Sequence, residues 1–321
     1  MSTLRDQVDA DLRSLIEAVL QAHDCGDDAG LWRTLAELGL GELTGREERG
    51  GSGATWREAA ELVRALARRG CDLPVGESDL VAGRLLDEAG VAAATPALRG
   101  WTVEDGEEVP AASHPLVERM VVLRRTTSGW RLADVPAGAA PPGAARWHEV
   151  SAETVDRAHA LAALVRAVQI TGAMEAVLDL AVEHARTREQ FGRPVGKFQA
   201  VQGLLATLAA EVALARSAVD AAVLVAAAPA TPLEQLLASV AVARSCAGHA
   251  AEPVVRNAHQ VVGAIGTTQE HPLPGLTRRI LGWRSADGGT RAWDRAVLQD
   301  SLDGVSSSAL DLFPEEVEER S

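Results

Sequence analysis

Three long helical stretches, joined by short turns marked with Gly and Pro, dominate the second half of this 321-residue chain. The first starts at Ser151 and ends near Glu189. Its apolar residues, among them Leu161, Leu164, Val168, Met174, Val177, Leu178 and Leu180, recur at helical spacing. The second runs from about Lys197 to Ala228, where Pro229 and Pro232 break it. The third covers residues 233–262 and stops at the Gly263-Ala-Ile-Gly266 segment. Helices of roughly 30 residues tied by turns this short lie antiparallel, so a helical bundle is expected. Shorter helices over residues 274–283 and 290–302 complete it. The composition agrees: 47% of residues are apolar, aromatics are 3% and Tyr is absent. An apolar set led by Ala, Val and Leu favours closely packed helices.

The N-terminal part is helical in a different style. Helices are predicted over residues 3–22, 28–38, 55–69 and 78–89, with Asp27 or Asp28 as an N-cap and Gly39, Gly70 and Gly90 as stops. Ser78 opens the fourth. Then the character changes. Short β-like runs, GWTV, MVVLRRT and GWRLADV, are bounded by turn signals at Asp105-Gly106 and Ser128-Gly129. They predict a small sheet of three to four strands, too few residues for a full barrel. The expected organisation is mainly α: an N-terminal helical domain (1–90), a shortened β-domain (91–150), a C-terminal four-helix bundle (151–305) and an acidic tail (306–321).

Charge and cysteine usage exclude several roles. A net charge of −14 argues against nucleic-acid binding, which needs a basic footprint. Cys25, Cys71 and Cys246 are far apart and odd in number, the pattern of reduced thiols in a cytoplasmic protein. No signal peptide is visible at the N-terminus. No membrane span is expected either; the nearest candidate, residues 217–228, is interrupted by Asp220. His259, Glu270 and His271 fit no usual zinc spacing, so no metal site is expected and they are taken as helix-end and loop residues. Arg46-Glu47-Glu48-Arg49 has the mixed sign of a solvated face.

The stretch that carries chemistry is HARTREQFGRPVGKFQAVQ, residues 184–202, between the first two long helices. It holds Phe191 and Phe198, two of the three Phe of the chain, and Lys197, its single Lys. Taken singly, its residues have plain readings. Arg188 suits a surface pair with Glu189. Phe198 suits a core position. Gln260-x-x-Gly263 suits a helix stop, and Asp287-Gly288 a turn.

Together these segments resemble the acyl-CoA dehydrogenase family. TREQFGRPVGKFQAVQGLLA is similar to the family signature at the turn between the first two bundle helices. HQVVGAIGTTQEHPLPGLTRR, residues 259–279, resembles its Gln-x-x-Gly-Gly-x-Gly segment, with Ala264 in place of the second Gly. LWRTLAELGLGEL and LPVGESDLVAGRLL resemble the helical N-terminal domain. The resemblance implies a helical domain, a β-barrel and a four-helix bundle, with FAD between the barrel of one subunit and the bundle of its neighbour. It implies that Arg188 binds the FAD diphosphate and Phe191 contacts the cofactor. It also places Gln260, Gly263 and Ala264 near the adenosine-diphosphate end. A guanidinium forms forked, charge-assisted bonds to phosphate oxygens, which agrees. The expected activity is FAD-dependent introduction of an α,β double bond into an acyl-CoA, with electron-transfer flavoprotein as acceptor.

The departures point to a shared site. Residues 91–150 are about half as many as a complete barrel requires. Neither the Thr-Glu-Pro-x-Ala-Gly-Ser-Asp type loop nor the Trp-Ile-Thr/Ser segment is matched. Heteromeric members of the family have half the usual number of flavins, and bacterial enzymes acting on steroid side-chain CoA esters are an example. This chain resembles the smaller subunit of such an α2β2 heterotetramer. The family's catalytic glutamate position falls at Asp287, and an alternative base position falls near Ala162, which has no acid. Three readings stay open: an accessory subunit with Asp287 vestigial, a self-sufficient enzyme with Asp287 as base, and a scaffold that binds no flavin.

Overall fold

The computed structural model describes residues 8–24, 26–46, 51–91, 96–104, 112, 114–138 and 145–303. Expectations for Cys25, the Asp105-Gly106 turn, residues 47–49 and the acidic tail fall outside them. The chain divides into two compact units, Met1–Val165 and Arg166–Ser321.

In the first unit, helices α1 (Ala10–Ala22), α2 (Asp28–Glu37) and α3 (Trp56–Arg68) are each started by a side chain that satisfies orphan backbone N–H groups. Asp9 and Asp27 cap the first two. Thr55 and Glu58 form a reciprocal capping box on the third. Gly39, Gly70 and Gly90 follow helix ends with positive φ, as expected. The fourth helix differs. It begins earlier, as α4 (Val75–Glu77), continues through a π-helical segment, Ser78–Gly83, and ends as α5 (Arg84–Glu88). Ser78 is therefore buried inside the helix instead of capping it, and its Oγ accepts the backbone N–H of Arg99 at 2.9 Å. Gly76 is needed here, because a Cβ would lie 2.8 Å from Val63 and 2.9 Å from Val165 side-chain atoms.

The sheet has four strands in the order β1-β2-β3-β4: Arg99–Glu104, Arg119–Thr126, Gly129–Pro136 and His148–Val150. β1 runs parallel to β2, and the remaining pairs are antiparallel. Met120, Val121, Val122 and Leu123 are all buried, so β2 is covered on both faces. Arg99 ties the sheet to the helices. It is 1% exposed and donates from Nη1 to Glu42 at 3.1 Å, and its Nε lies 3.6 Å from Asp134. Asp134 also accepts Arg119 Nε at 2.9 Å. A buried charge is tolerated only when paired and hydrogen-bonded in this way.

The long helices are α6 (Ala152–Thr187), α7 (Gln199–Ala227) and α8 (Leu233–Val262), followed by α9 (Leu273–Ser285) and α10 (Thr290–Asp303). α7 and α10 both pack on α8. One membrane expectation needs correcting. α6, and not residues 217–228, is the helix long and apolar enough to cross a membrane, but 83% of its most apolar stretch is buried inside the protein. It is a core helix. α7 carries Glu211, Arg216 and Asp220 as its charged residues, and its exposed positions include Ala206, Ala210, Ala213 and Leu214. The fold is thus an N-terminal helical domain, a small four-stranded sheet and a C-terminal helical bundle.

Candidate functional site

The turn between α6 and α7 is a miniature hairpin. Glu189–Gln190 pairs antiparallel with Arg193–Pro194, leaving Phe191 and Gly192 as a two-residue loop. Both loop residues have positive φ, 52° and 78°. This is the backbone of a tight type I′ hairpin, where Gly, Asn or Asp is usual at the first position. A Phe there is strained by about 1–3 kcal/mol, and such strain clusters at ligand clamps and switches. Phe191 is also 92% exposed. Its ring meets Phe198 edge to face at 6.2 Å, and the guanidinium of Arg193 lies 4.3 Å from the Phe198 ring centre. Phe198 is therefore a half-buried support for the loop and not the core residue expected. The turn is held close to its helix: a Cβ on Gly196 would lie 2.8 Å from the carbonyl oxygen of Ala185.

Arg188 stands at the end of α6, its backbone N–H bonded to His184 O at 2.9 Å. Its side chain is exposed and forms no hydrogen bond or ion pair among the described residues, so the surface pair with Glu189 is not formed. One helical turn before it on α6 stands His184. Burial pushes His184 below its ordinary pKa, and the charges of His271 and Arg188 push the same way. His259 is lowered by burial and by His271. Gln260 lies in the last turn of α8, and Gly263 ends it with φ 72°. Both are exposed, as is Ala264, whose carbonyl accepts Thr267 Oγ1 at 2.8 Å.

Asp287 has a different environment. It sits in a left-handed backbone at φ 50°, and its Oδ2 accepts Arg166 Nε at 2.9 Å. The segment around it is stapled by Arg244, 1% exposed, which donates to Ala286 O at 2.7 Å and Gly288 O at 3.0 Å. Burial pulls the Arg244 guanidinium down to about 10, with Asp287 acting against the shift. Trp293 Nε1 donates to the carbonyls of Asp287 and Gly288. The carboxylate is thus fastened into a structural corner. Sequence reasoning found Asp287 but missed Arg166 and Arg244. The available signal was a lone arginine inside each of two otherwise apolar helical runs, since a buried arginine needs a partner. Ala162 is buried and offers no acid. Among the described residues, no group of three or more His, Cys, Asp or Glu could hold a metal.

Comparisons with known proteins bear on this geometry. The model of the acyl-CoA dehydrogenase N-terminal domain matches residues 1–94, and that of the C-terminal domain matches residues 155–302. Acyl-CoA dehydrogenase IpdE2 of Mycobacterium tuberculosis is 30% identical over 285 residues, covering 81% of this chain and 83% of its own length. This chain belongs to the acyl-CoA dehydrogenase family. The family consists of FAD-dependent oxidoreductases acting on CH–CH bonds. In fold the chain is similar to a chain of the ChsE4-ChsE5 complex from Mycobacterium tuberculosis. That likeness has a TM-score of 0.78 at 24% identity, over 91% of this chain and 96% of the other. It is also similar to a chain of the Tcur3481-Tcur3483 steroid ACAD, as its G363A variant, with a TM-score of 0.77 at 21% identity, over 95% and 100%.

The residues present fit one end of FAD. An exposed arginine with no side-chain partner among the described residues and a projecting aromatic suit a diphosphate and the groups flanking it. Two exposed residues at a helix end, Gln260 and Gly263, suit close backbone approach.

Proposed function

We propose that this chain is the accessory subunit of a heteromeric, FAD-dependent acyl-CoA dehydrogenase, completing a flavin site built mainly by a larger partner subunit in an α2β2 complex. The observation that carries this reading is the strained, exposed Phe191 three residues from an exposed Arg188 that has no side-chain partner among the described residues. Both are ready for a ligand that this chain does not enclose. Arg188 would hold the diphosphate, Phe191 would cover it, and Gln260, Gly263 and Ala264 would approach the adenosine end. When bound, FAD supplies the hydride acceptor for forming the α,β double bond. The engagement of Asp287 by Arg166 supports a base on the partner rather than on this chain. The two-component complexes among the similar structures support heteromeric assembly, and the steroid enzyme among them supports a bulky acyl-CoA substrate. Electron-transfer flavoprotein is the expected acceptor.

The test is co-expression with a longer acyl-CoA dehydrogenase chain encoded beside it, followed by flavin quantification. A yellow complex with about one FAD for every two chains, as shared sites require, is the expected result. A lone chain that purifies as a yellow, active homomer would overturn the reading and favour a self-sufficient enzyme with Asp287 as base. A complex whose flavin content is unchanged by Arg188→Ala would favour a scaffold.

A further inference from the structure

The α6–α7 turn is fastened at its base and strained at its tip. At the base, Val195 N–H donates to Arg188 O at 2.8 Å, and Gln202 Nε2 donates to Gly196 O at 3.1 Å. Pro194 confines the residue before it, Arg193, to extended backbone. At the tip, Phe191 holds a φ of 52°, which a residue with a Cβ resists. None of the bonds at the base reaches the Phe191 side chain, which is 92% exposed. It is met instead by Phe198, ring to ring at 6.2 Å with the planes 82° apart. On Phe198 in turn lies Arg193, its guanidinium 4.3 Å from the ring centre. The three side chains form one stack with Phe198 in the middle. Arg193 is exposed, and its side chain forms no hydrogen bond or ion pair among the described residues. An edge-to-face ring pair and a cation over a ring are each comparable in strength with the strain at a left-handed residue other than glycine. Together they are enough to hold Phe191 where it is.

We propose that Arg193 is a positioning residue for the cofactor, acting through Phe198 to keep Phe191 projecting in its left-handed form before FAD arrives. The inference deepens the reading of the turn as a cofactor clamp and rests on it. Its physical basis is preorganisation. A ligand that binds one form of a loop loses apparent affinity in proportion to the chains outside that form. Without Arg193, the Phe198 ring is released, and Phe191 can relax to a negative φ by turning the two-residue loop over. Arg188 keeps its place through this change. Its backbone is held on both sides, its N–H by His184 O at 2.9 Å and its carbonyl by Val195 N–H. Arg193 thus sets the aromatic half of the clamp and leaves the phosphate half alone.

The test is a double-mutant cycle on the FAD affinity of the co-expressed complex, with Arg193→Gln, Phe198→Leu and the double variant. Arg193→Gln should raise the FAD dissociation constant about two- to fivefold, the measure of one exposed cation–π contact. Phe198→Leu should raise it at least as much, and adding Arg193→Gln to it should change nothing further. A full Arg193 effect in the Phe198→Leu background overturns the proposal, since the arginine would then act on the cofactor directly. The lone full-length chain supplies a signature that a purely structural role would not move. It has three Phe and no Tyr, so phenylalanine-selective labelling leaves few ring signals to assign. The Phe191–Phe198 contact should give a nuclear Overhauser effect that is lost in Arg193→Gln, while the melting temperature stays unchanged. A ring contact that survives Arg193→Gln overturns the proposal. If Arg193→Gln binds FAD normally while Arg188→Ala loses it, only the positioning role has failed. If Arg188→Ala also binds FAD normally, the clamp reading fails and takes the positioning role with it.

Discussion

Arg166 Nε donates to Asp287 Oδ2 at 2.9 Å, and this pair occupies the corner where the family resemblance puts a catalytic carboxylate. Both side chains are only partly exposed, 22% and 28%. Asp287→Asn should therefore act on stability and leave turnover of the assembled complex unchanged. A partly screened pair of this kind is worth about 1 kcal/mol, and in a unit of this size that lowers Tm by about 2–4 °C. Arg166→Gln should cost a similar amount, and the double variant no more than either. Thermal melts of the three variants measure the coupling. Loss of substrate-driven flavin bleaching in Asp287→Asn would make Asp287 the base.

Arg188→Ala separates function from stability. The side chain is exposed and unpartnered among the described residues, so the lone chain should melt at the unmutated temperature. The complex should lose flavin. A charge-assisted bond contributes about 1.5–3 kcal/mol, so flavin dissociation should strengthen roughly 10- to 100-fold. Equilibrium dialysis with fluorescence detection reads this directly.

Two glycines 7 positions apart should respond in opposite directions. In Gly196→Ala the new Cβ meets the Ala185 carbonyl at 2.8 Å, a backbone atom that cannot step aside. The turn must shift, with loss of stability. Gly203, within α7, has nothing within 4 Å of its Cβ position. Gly203→Ala should stabilise the lone chain by about 0.5–1 kcal/mol, the helical cost of glycine. Denaturant titration of both variants checks the pair.

Asp294 gives the fold an acid-sensitive joint. Its carboxylate accepts Ser245 Oγ at 2.7 Å and lies 3.0 Å from His249 Nε2, linking α10 to α8. The hydroxyl bond from Ser245 lowers its pKa most, and His249 adds to this. Because the folded value lies below the unfolded one, near 3.8, the stabilisation is complete above that value and is lost as pH falls through the folded value. Asp294→Ala should lower Tm at pH 6, and the gap from the unmutated chain should narrow as pH falls through the folded value, where the carboxylate takes up its proton. A gap that stays constant with pH would show that the joint is steric.

The helices were legible because their signals are local. Thr55 with Glu58, Asp27, and Gly39 mark ends by short-range hydrogen bonds or backbone freedom, which a sequence displays openly. The π segment was hidden for the opposite reason. Ser78 looks like a cap, but its hydroxyl serves Arg99, 21 residues away in sequence. Arg99 in turn reaches Glu42 and Asp134. Such long-range pairs leave no periodic trace. Arg188, Phe191 and Gln260 were singled out through the family resemblance and not through any pattern of their own. The strain at Phe191 was not, since no pattern of residue types announces a positive φ at a Phe.

The face of α7 has a consequence for the chain on its own. Along that helix, alanines and Leu214 look outward with few charges among them, shortly after the projecting Phe191. Water wets such a surface poorly, and two copies meeting there would gain by sticking together. A cell that makes this chain in excess would accumulate clumped or degraded protein. In the heteromeric complex proposed above, a partner made in step with this chain would cover that face and remove the hazard.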